Sequence, residues 1–412
     1  MEPSLTWIDL TSADRDRMRS VLDLFREQGT LDEMGLGSLR DALADALFPG
    51  TSTLHTRLRY VLFIPWIYRD LEQKRSADVA AAARAAELKL IPALEQNEDS
   101  LGIIGAWSRE ALHRLPSSVY WGALNRWGLF LPGQGQNWYH ARFRHLGRAQ
   151  HGLAHPDDPG VLLESGAVWH PRLPPAPRSF PDRVAFALGE AEAVFLQGRW
   201  ESACPGSLLA WLAREGGSET ADAFWDDPNA CAAPAKLRHL IELARRFSQC
   251  VEGLPLLYNL LLAEARAQPQ GDPNGIAEGW AADYRAALAE WAAAEAEEAP
   301  FDPGVLWAFM AERHLRVPAP QRQLIEVWAQ RSAGERAANV WRDEALRQLV
   351  ALRELRLKGP RRARLQNLAR LGDWTGSAGV GRMDFRWAQV RRLLADLHQG
   401  LGNAAAAPRE AA

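Results

Sequence analysis

The sequence predicts a mainly α protein: a multi-helix assembly, with two helical regions joined by a proline-rich arm. Three observations carry that prediction. Apolar residues recur at three- and four-residue spacing, as in Leu36, Leu39, Leu43 and Leu47, or Trp387, Val390, Leu394 and Leu397. Helix-opening signals precede such stretches, at Pro116-Ser117-Ser118 and at Pro205-Gly206-Ser207. Strand-like alternation is scarce.

Taken in order, Trp7-Ile8-Asp9-Leu10 reads as an extended start. Thr11 and Asp14 resemble a capping box ahead of a helix with Met18, Val21, Leu22 and Phe25 on one face, which Gly29 ends. After a loop over Thr30–Gly37, Ser38 is placed to cap a leucine-lined helix. Phe48-Pro49-Gly50 breaks that helix, because proline cannot sit in its interior and glycine accepts positive φ. Thr51, Ser52 and Thr53 then supply three hydroxyls where a second helix is expected to begin. That helix continues through Arg57, Arg59 and the apolar run Tyr60–Ile67, with a kink at Pro65.

An Ala-rich helix over about 77–95 follows, then a turn at Gly102–Gly105 and a helical stretch with Trp107, Leu112 and Leu115. Another helix runs from Pro116 through Tyr120, Leu124 and Trp127. Leu131–His140 is expected to be a Gly/Gln-rich loop. The stretch 156–181, with PRLPPAPRSFP, reads as a linker or as an arm crossing one large domain. The expected division is 1–158, 159–181, 182–270 and 271–412. LPLLYNLLLAEAR predicts a buried helix kinked at Pro255, in which Tyr258 and Asn259 each need a hydrogen-bond partner. Trp280, Tyr284, Leu288 and Trp291 form a helical stripe suited to a core. Helices are expected over Val305–Leu315, Gln321–Ser332 and Glu335–Lys358, and a last one carries Trp387 and Leu397.

The 412 residues are 47% hydrophobic and 24% charged, with a net charge of −3, so no global field draws nucleic acid or membrane. Three separated cysteines without a CxxC pair fit a reducing cytoplasm. The first residues lack a signal peptide's apolar core, and no apolar run is long enough to span a bilayer. The expectation is a cytoplasmic protein without membrane contact.

Two stretches carry unusual chemistry. At the Phe48-Pro49-Gly50 corner, Arg57 and Arg59 precede a buried run, and a buried guanidinium requires a carboxylate. One reading is an ion-pair clamp with Asp41 or Asp45. The other is a phosphate or anion site made by Thr51, Ser52, Thr53, Arg57 and Arg59, since a hydroxyl-rich helix start with two arginines suits a phosphate. The second stretch runs from Arg336 to Arg392, with 14 Arg/Lys against 5 Asp/Glu. Lys358, Arg361, Arg362, Arg364, Trp374, Arg382 and Arg386 form its patch for nucleic acid or a protein partner, arginine beside tryptophan suiting phosphate contact and base stacking. The alternative is a solvated outer face.

No catalytic constellation is readable. There is no GxxxxGK[ST] loop and no GxSxG elbow, and GVGR at Gly379 lacks the strand-then-helix setting of a dinucleotide site. His151 and His155 have i, i+4 spacing, but no HExxH glutamate lies between them. Asp32, Glu33, Asp41 and Asp45 lack the lysine of a nuclease core. No cofactor and no metal are expected.

WIDL, RDALADALFPGTSTLHTRLRYVLFIPWIY, LPSSVYWGAL, WHPRLPPAPRSFP, PGSLLAWL and LLYNLLLAE, in that order, resemble one uncharacterised bacterial domain-of-unknown-function family of about this length. Genes of that family lie beside helicases and other DNA-processing genes in antiphage-defence neighbourhoods. The resemblance implies an accessory role in DNA-linked defence, with DNA or a helicase as partner, and supplies no catalytic residues. Together with the residues it leads to the expectation of a non-enzymatic component contacting nucleic acid or a helicase through the C-terminal basic region. The alternatives are an enzyme acting on a phosphate-bearing substrate at Thr51–Arg59, and a pure protein-interaction scaffold.

Overall fold

A computed structural model describes residues 32–149, 168–216, 221–267 and 275–406. The expected helix at Met18–Phe25, with its extended start, and the pair His151 and His155 lie outside the described residues. Among the described residues fifteen α-helices run in order: α1 Gly37–Leu47, α2 Tyr60–Gln73, α3 Val79–Glu95, α4 Pro116–Arg126, α5 Gln136–Ala149, α6 Glu190–Ala203, α7 Leu208–Glu215, α8 Pro228–Cys231, α9 Ala235–Arg266, α10 Ile276–Ala296, α11 Pro303–Glu312, α12 Ala319–Arg331, α13 Glu344–Lys358, α14 Leu368–Gly372 and α15 Trp387–Ala406. The described residues hold no strand, only an isolated antiparallel bridge between Phe130 and Trp169. The protein is mainly α, a multi-helix fold.

The chain divides into two compact units, each assembled from distant segments. One takes Met1–Ala42 and Leu243–Met383, the other Leu43–Glu242 and Asp384–Ala412. These boundaries differ from the expected divisions near 158, 181 and 270, because α15 returns to pack along α6 and α7.

In the second unit, Tyr60 to Tyr68 of α2 are all buried, so this helix is its hub, with α3, α4 and α5 packed around it. Phe48 is fully buried, edge-on to Phe224 at 5.4 Å and close to Trp387 at 5.9 Å. Gly50 has φ +82°, and a Cβ there would stand 2.6 Å from Trp127 Nε1, whose N–H donates to Pro49 O at 2.8 Å. The stretch 168–189 stays within this unit and buries Trp169, Leu173, Phe186 and Leu188. α5 begins inside the expected Leu131–His140 loop: Gln136 Nε2 donates to Tyr68 Oη (2.8 Å) and Ser117 Oγ (2.9 Å), and Tyr139 is buried. The helical stretch expected around Trp107 is reduced to three residues of 3-10 helix, Arg109–Ala111.

In the first unit, Ser38 is not the cap of α1. Asp32 is: its carboxylate accepts the Leu36 and Gly37 N–H groups, both at 2.6 Å. Ser38 Oγ instead accepts from Gln321 Nε2 at 3.0 Å. Asn259 is a satisfied core amide. It donates to Pro255 O and Ala378 O and accepts from Ala378 N and Trp374 Nε1. The expected helix over Glu335–Lys358 is broken, since Asp343 caps α13 by accepting from Ala345 N and Leu346 N.

Candidate functional site

At the corner in the second unit, residues 51–59 are irregular and α2 opens only at Tyr60. The hydroxyls and amides are used within the turn. Thr51 Oγ1 donates to Phe48 O (2.7 Å), Ser52 Oγ accepts from Leu54 N (3.2 Å), and Thr53 is exposed. The N–H groups of Thr56 and Arg57 both donate to Tyr120 Oη, at 2.8 and 3.0 Å. Thr51, Ser52 and Thr53 therefore do not form the helix N-terminus on which the phosphate reading relied.

Arg57 is buried and meets two carboxylates. Its Nε lies 3.0 Å from Asp396 Oδ1 and its Nη2 2.8 Å from the same atom, while Nη1 pairs with Asp99 Oδ2 at 2.7 Å. Asp396 Oδ2 also accepts the Leu58 N–H at 2.7 Å. Burial works against the Arg57 charge, and the Asp396 and Asp99 carboxylates outweigh it, holding the guanidinium above its ordinary pKa. Arg59 pairs with Glu192 at 2.8 Å and donates to Ala185 O at 2.9 Å. The arginines of the corner are thus ion-paired, but with Asp396, Asp99 and Glu192 in place of Asp41 and Asp45. The reason is exposure. Asp45 stands 65% exposed against Arg386 at 2.7 Å, and Asp41 45% exposed beside Arg40 at 3.1 Å, both off the leucine-lined face of α1.

In the first unit, the basic stretch turns partly inward. Lys358 pairs with Glu33 and, at 3.0 Å, with Glu354; Arg364 pairs with Glu33 at 2.9 Å. Tyr258 Oη donates to Glu354 at 2.5 Å and accepts from Lys358 Nζ at 2.8 Å. Burial works against the Glu354 charge, but bonds from Tyr258, the Arg364 and Leu365 N–H groups and Lys358 hold its pKa below the usual range. Trp374 is buried, with its N–H on Asn259, so it offers no stacking face. Arg382 donates to Gln249 at 2.8 Å. Arg386 belongs to the second unit and holds Asp45 and Thr51 O. Of the seven residues, Arg361 and Arg362 are exposed and have no carboxylate partner among the described residues.

The sequence does not point to Asp396, Glu192, Glu33 or Glu354. A signal exists for Asp396, which follows Leu393, Leu394 and Ala395 and precedes Leu397: a carboxylate on an apolar helix stripe requires a cation. Elsewhere, His140 Nε2 stands 2.7 Å from Tyr68 Oη. No group of three or more His, Cys, Asp and Glu able to hold a metal occurs among the described residues, and no helix among them is long and apolar enough to cross a membrane.

The fold and these inward-facing ion pairs define a helical protein in which buried charged residues such as Arg57, Asp396, Glu33 and Glu354 fasten its own segments. The chain belongs to a family of unknown function, DUF6361, whose model matches residues 3–400. No curated protein and no solved structure matches it.

Proposed function

We propose that the chain is a non-enzymatic accessory protein of a DNA-linked bacterial defence system, and that it contacts a protein partner of the helicase type through the turn that follows α13. One observation supports this reading above the others. Within the stretch 357–368, Arg361 and Arg362 are exposed, and so are Leu357 (40%) and Leu368 (77%). Arginine with exposed large apolar side chains suits a protein interface, whereas a phosphate backbone gains nothing from leucine. The internal pairing of Lys358 and Arg364 weakens the nucleic-acid reading, and the pairing of Arg57 and Arg59 weakens the phosphate-enzyme reading.

The test is capture of the tagged chain from its native host with and without nuclease. The expected result is a protein partner retained after nuclease, lost in the double variant Leu357→Asp/Leu368→Asp and reduced in Arg361→Ala/Arg362→Ala. Recovery of nucleic acid alone, in a salt-sensitive manner, would return the function to the nucleic-acid reading.

A further inference from the structure

A chain of hydrogen bonds crosses the second unit from a buried acid to a half-buried histidine. Glu87 of α3 accepts the Ser117 hydroxyl hydrogen and the Ser117 N–H, each at 2.7 Å. Gln136 Nε2 of α5 donates to Ser117 Oγ (2.9 Å) and to Tyr68 Oη of α2 (2.8 Å). Tyr68 Oη stands 2.7 Å from His140 Nε2, one turn further along α5. Glu87, Ser117 and Tyr68 are buried, while Gln136 and His140 are half-buried. Each link can run in either direction. A hydroxyl both donates and accepts, the glutamine amide has donors at one end and an acceptor at the other, and either imidazole nitrogen can carry the hydrogen. The links depend on one another, because a hydroxyl has a single hydrogen to give.

We propose that this chain is a proton-linked switch, in which a proton taken up at Glu87 reverses the direction of every link and moves the hydrogen of His140 from one ring nitrogen to the other. With Glu87 ionised, Ser117 donates to it, the Gln136 amino group serves Ser117 and Tyr68, and the Tyr68 hydrogen goes to His140 Nε2. His140 is then neutral, with its hydrogen on Nδ1. With a proton on Glu87 Oε1, the acid donates to Ser117 Oγ and the Ser117 hydrogen needs another acceptor. A half-turn of the Gln136 amide brings Oε1 there, and the same oxygen takes the Tyr68 hydrogen. Ser118 Oγ, 3.4 Å from Gln136 Oε1, can accept from the turned amide. Tyr68 Oη then accepts from His140 Nε2–H. The proton count balances: one proton enters at Glu87, the hydroxyl hydrogens rotate, and His140 takes a proton from water at Nε2 as Nδ1 returns one.

The surroundings fit this exchange. Burial pushes the Glu87 carboxyl up to about 7, so its proton comes and goes near neutrality, and burial raises Tyr68, which stays a phenol throughout. Arg84, on α3 itself, acts on Glu87 while its guanidinium donates to Leu112 O and Glu110 O, and Arg109 beside them pairs with Glu95. Tyr60 and Tyr68 of α2 lie within the Glu87 field. Asp78, the cap of α3, acts on His140, which burial holds below its ordinary pKa. Next to His140 on α5, Tyr139 donates to Glu72 of α2 and Arg144 to Ala77 O. The switch is independent of the turn after α13.

Nitrogen NMR of the full chain with isotope-labelled histidine reads the tautomer directly, the His140 signals being those lost in His140→Gln. At about pH 9, well above the Glu87 titration, the wild type is expected to hold the hydrogen on Nδ1. Glu87→Gln, whose amide donates to Ser117 Oγ as the protonated acid does, is expected at the same pH to hold it on Nε2, a change of about tenfold in the tautomer ratio. The wild type alone should make the same change as pH falls through the Glu87 titration, which decides the matter if Glu87→Gln fails to fold. Gln136→Leu, at a half-buried side chain, cuts the chain of bonds, and in that background Glu87→Gln should leave the His140 tautomer unmoved. The same tautomer in wild type and Glu87→Gln, no change in the wild type with pH, or a change that persists with Gln136→Leu overturns the proposal.

Discussion

Glu87 gives the chain a pH dependence opposite in sign to that of an ordinary paired carboxylate. It is buried at 2% exposure on α3, where Ser117 donates to it from both its N–H and its hydroxyl, each at 2.7 Å. Burial outweighs those two bonds and pushes its carboxyl up from 4.5 to about 7. The folded state therefore holds a proton that the unfolded chain releases. Below the unfolded value near 4.5 the contribution is fully present, and as pH rises through 7 it is lost, since between the two values the native state binds more protons. At 1.36 kcal/mol per unit, the loss is about 3 kcal/mol.

The wild-type profile alone would not reveal this. His55, in the same unit, is 2% exposed and is pushed by burial down from 6.5 to about 3. Its folded form stays neutral while the unfolded chain takes up a proton, so its contribution rises with pH between 3 and 6.5. The two slopes oppose each other between 4.5 and 6.5. The variant that isolates Glu87 is Glu87→Gln, because an amide can donate to Ser117 Oγ and accept from Ser117 N as the protonated acid does. Urea unfolding followed by tryptophan fluorescence, for wild type and variant at matched pH, is the assay. The variant is expected to gain about 3 kcal/mol over the wild type between roughly pH 4.5 and pH 8. A difference constant to within about 1 kcal/mol over that range, or one that falls with pH, would refute the argument.

Three further outcomes follow from the ion pairs and the packing. Asp396→Ala strips a buried partner from Arg57, and the second unit should lose roughly 3–5 kcal/mol in urea unfolding, whereas Asp45→Ala, at an exposed pair, should cost under about 1 kcal/mol. Glu33→Ala leaves Lys358 and Arg364 without the carboxylate they share and should cost about 3 kcal/mol in the first unit, seen as a lowered unfolding midpoint. Gly253→Ala would put a Cβ 2.7 Å from Cζ2 of both Trp291 and Trp328, and calorimetry should show a loss of about 1–3 kcal/mol.

The helical class was legible because it depends on local spacing. Leu36, Leu39, Leu43 and Leu47 are buried as their periodicity requires, and so are Trp387, Val390, Leu394 and Leu397. Local capping was less legible, because the first hydroxyl before an apolar run is not always the acceptor used. Asp32, five residues ahead of α1, takes the Leu36 and Gly37 N–H groups, so the helix is capped before Ser38 is reached. The start of α2 was misplaced for a related reason: Tyr120, from a separate helix, takes the Thr56 and Arg57 N–H groups and holds that stretch out of helical geometry. Of the charge partners, only Asp396 left a signal, through its place on an apolar helix stripe. Sequence proximity pointed to Asp41 and Asp45, while the carboxylates that reach Arg57 and Arg59 come from Asp396 and Glu192.

That last failure has a physical cause that bears on every basic stretch in this chain. A count of charges over a window treats each arginine as solvated, but the cost of burying a guanidinium is met by any carboxylate the fold delivers, at whatever sequence distance. Glu33 lies far from Lys358 and Arg364 along the chain, in a loop with no periodicity to mark it, yet it is 5% exposed and holds both cations. Once such pairs are removed, the local excess between Arg336 and Arg392 shrinks toward the residues that face solvent with no carboxylate partner among the described residues, Arg361 and Arg362 among them. The two kinds of arginine are separable by experiment. Alanine at Arg361 and Arg362 should leave the unfolding free energy within about 0.5 kcal/mol of the wild type, and any change in partner capture would then report the surface alone. Alanine at Arg364 removes a partner of Glu33 and should lower stability before it alters any contact with another molecule.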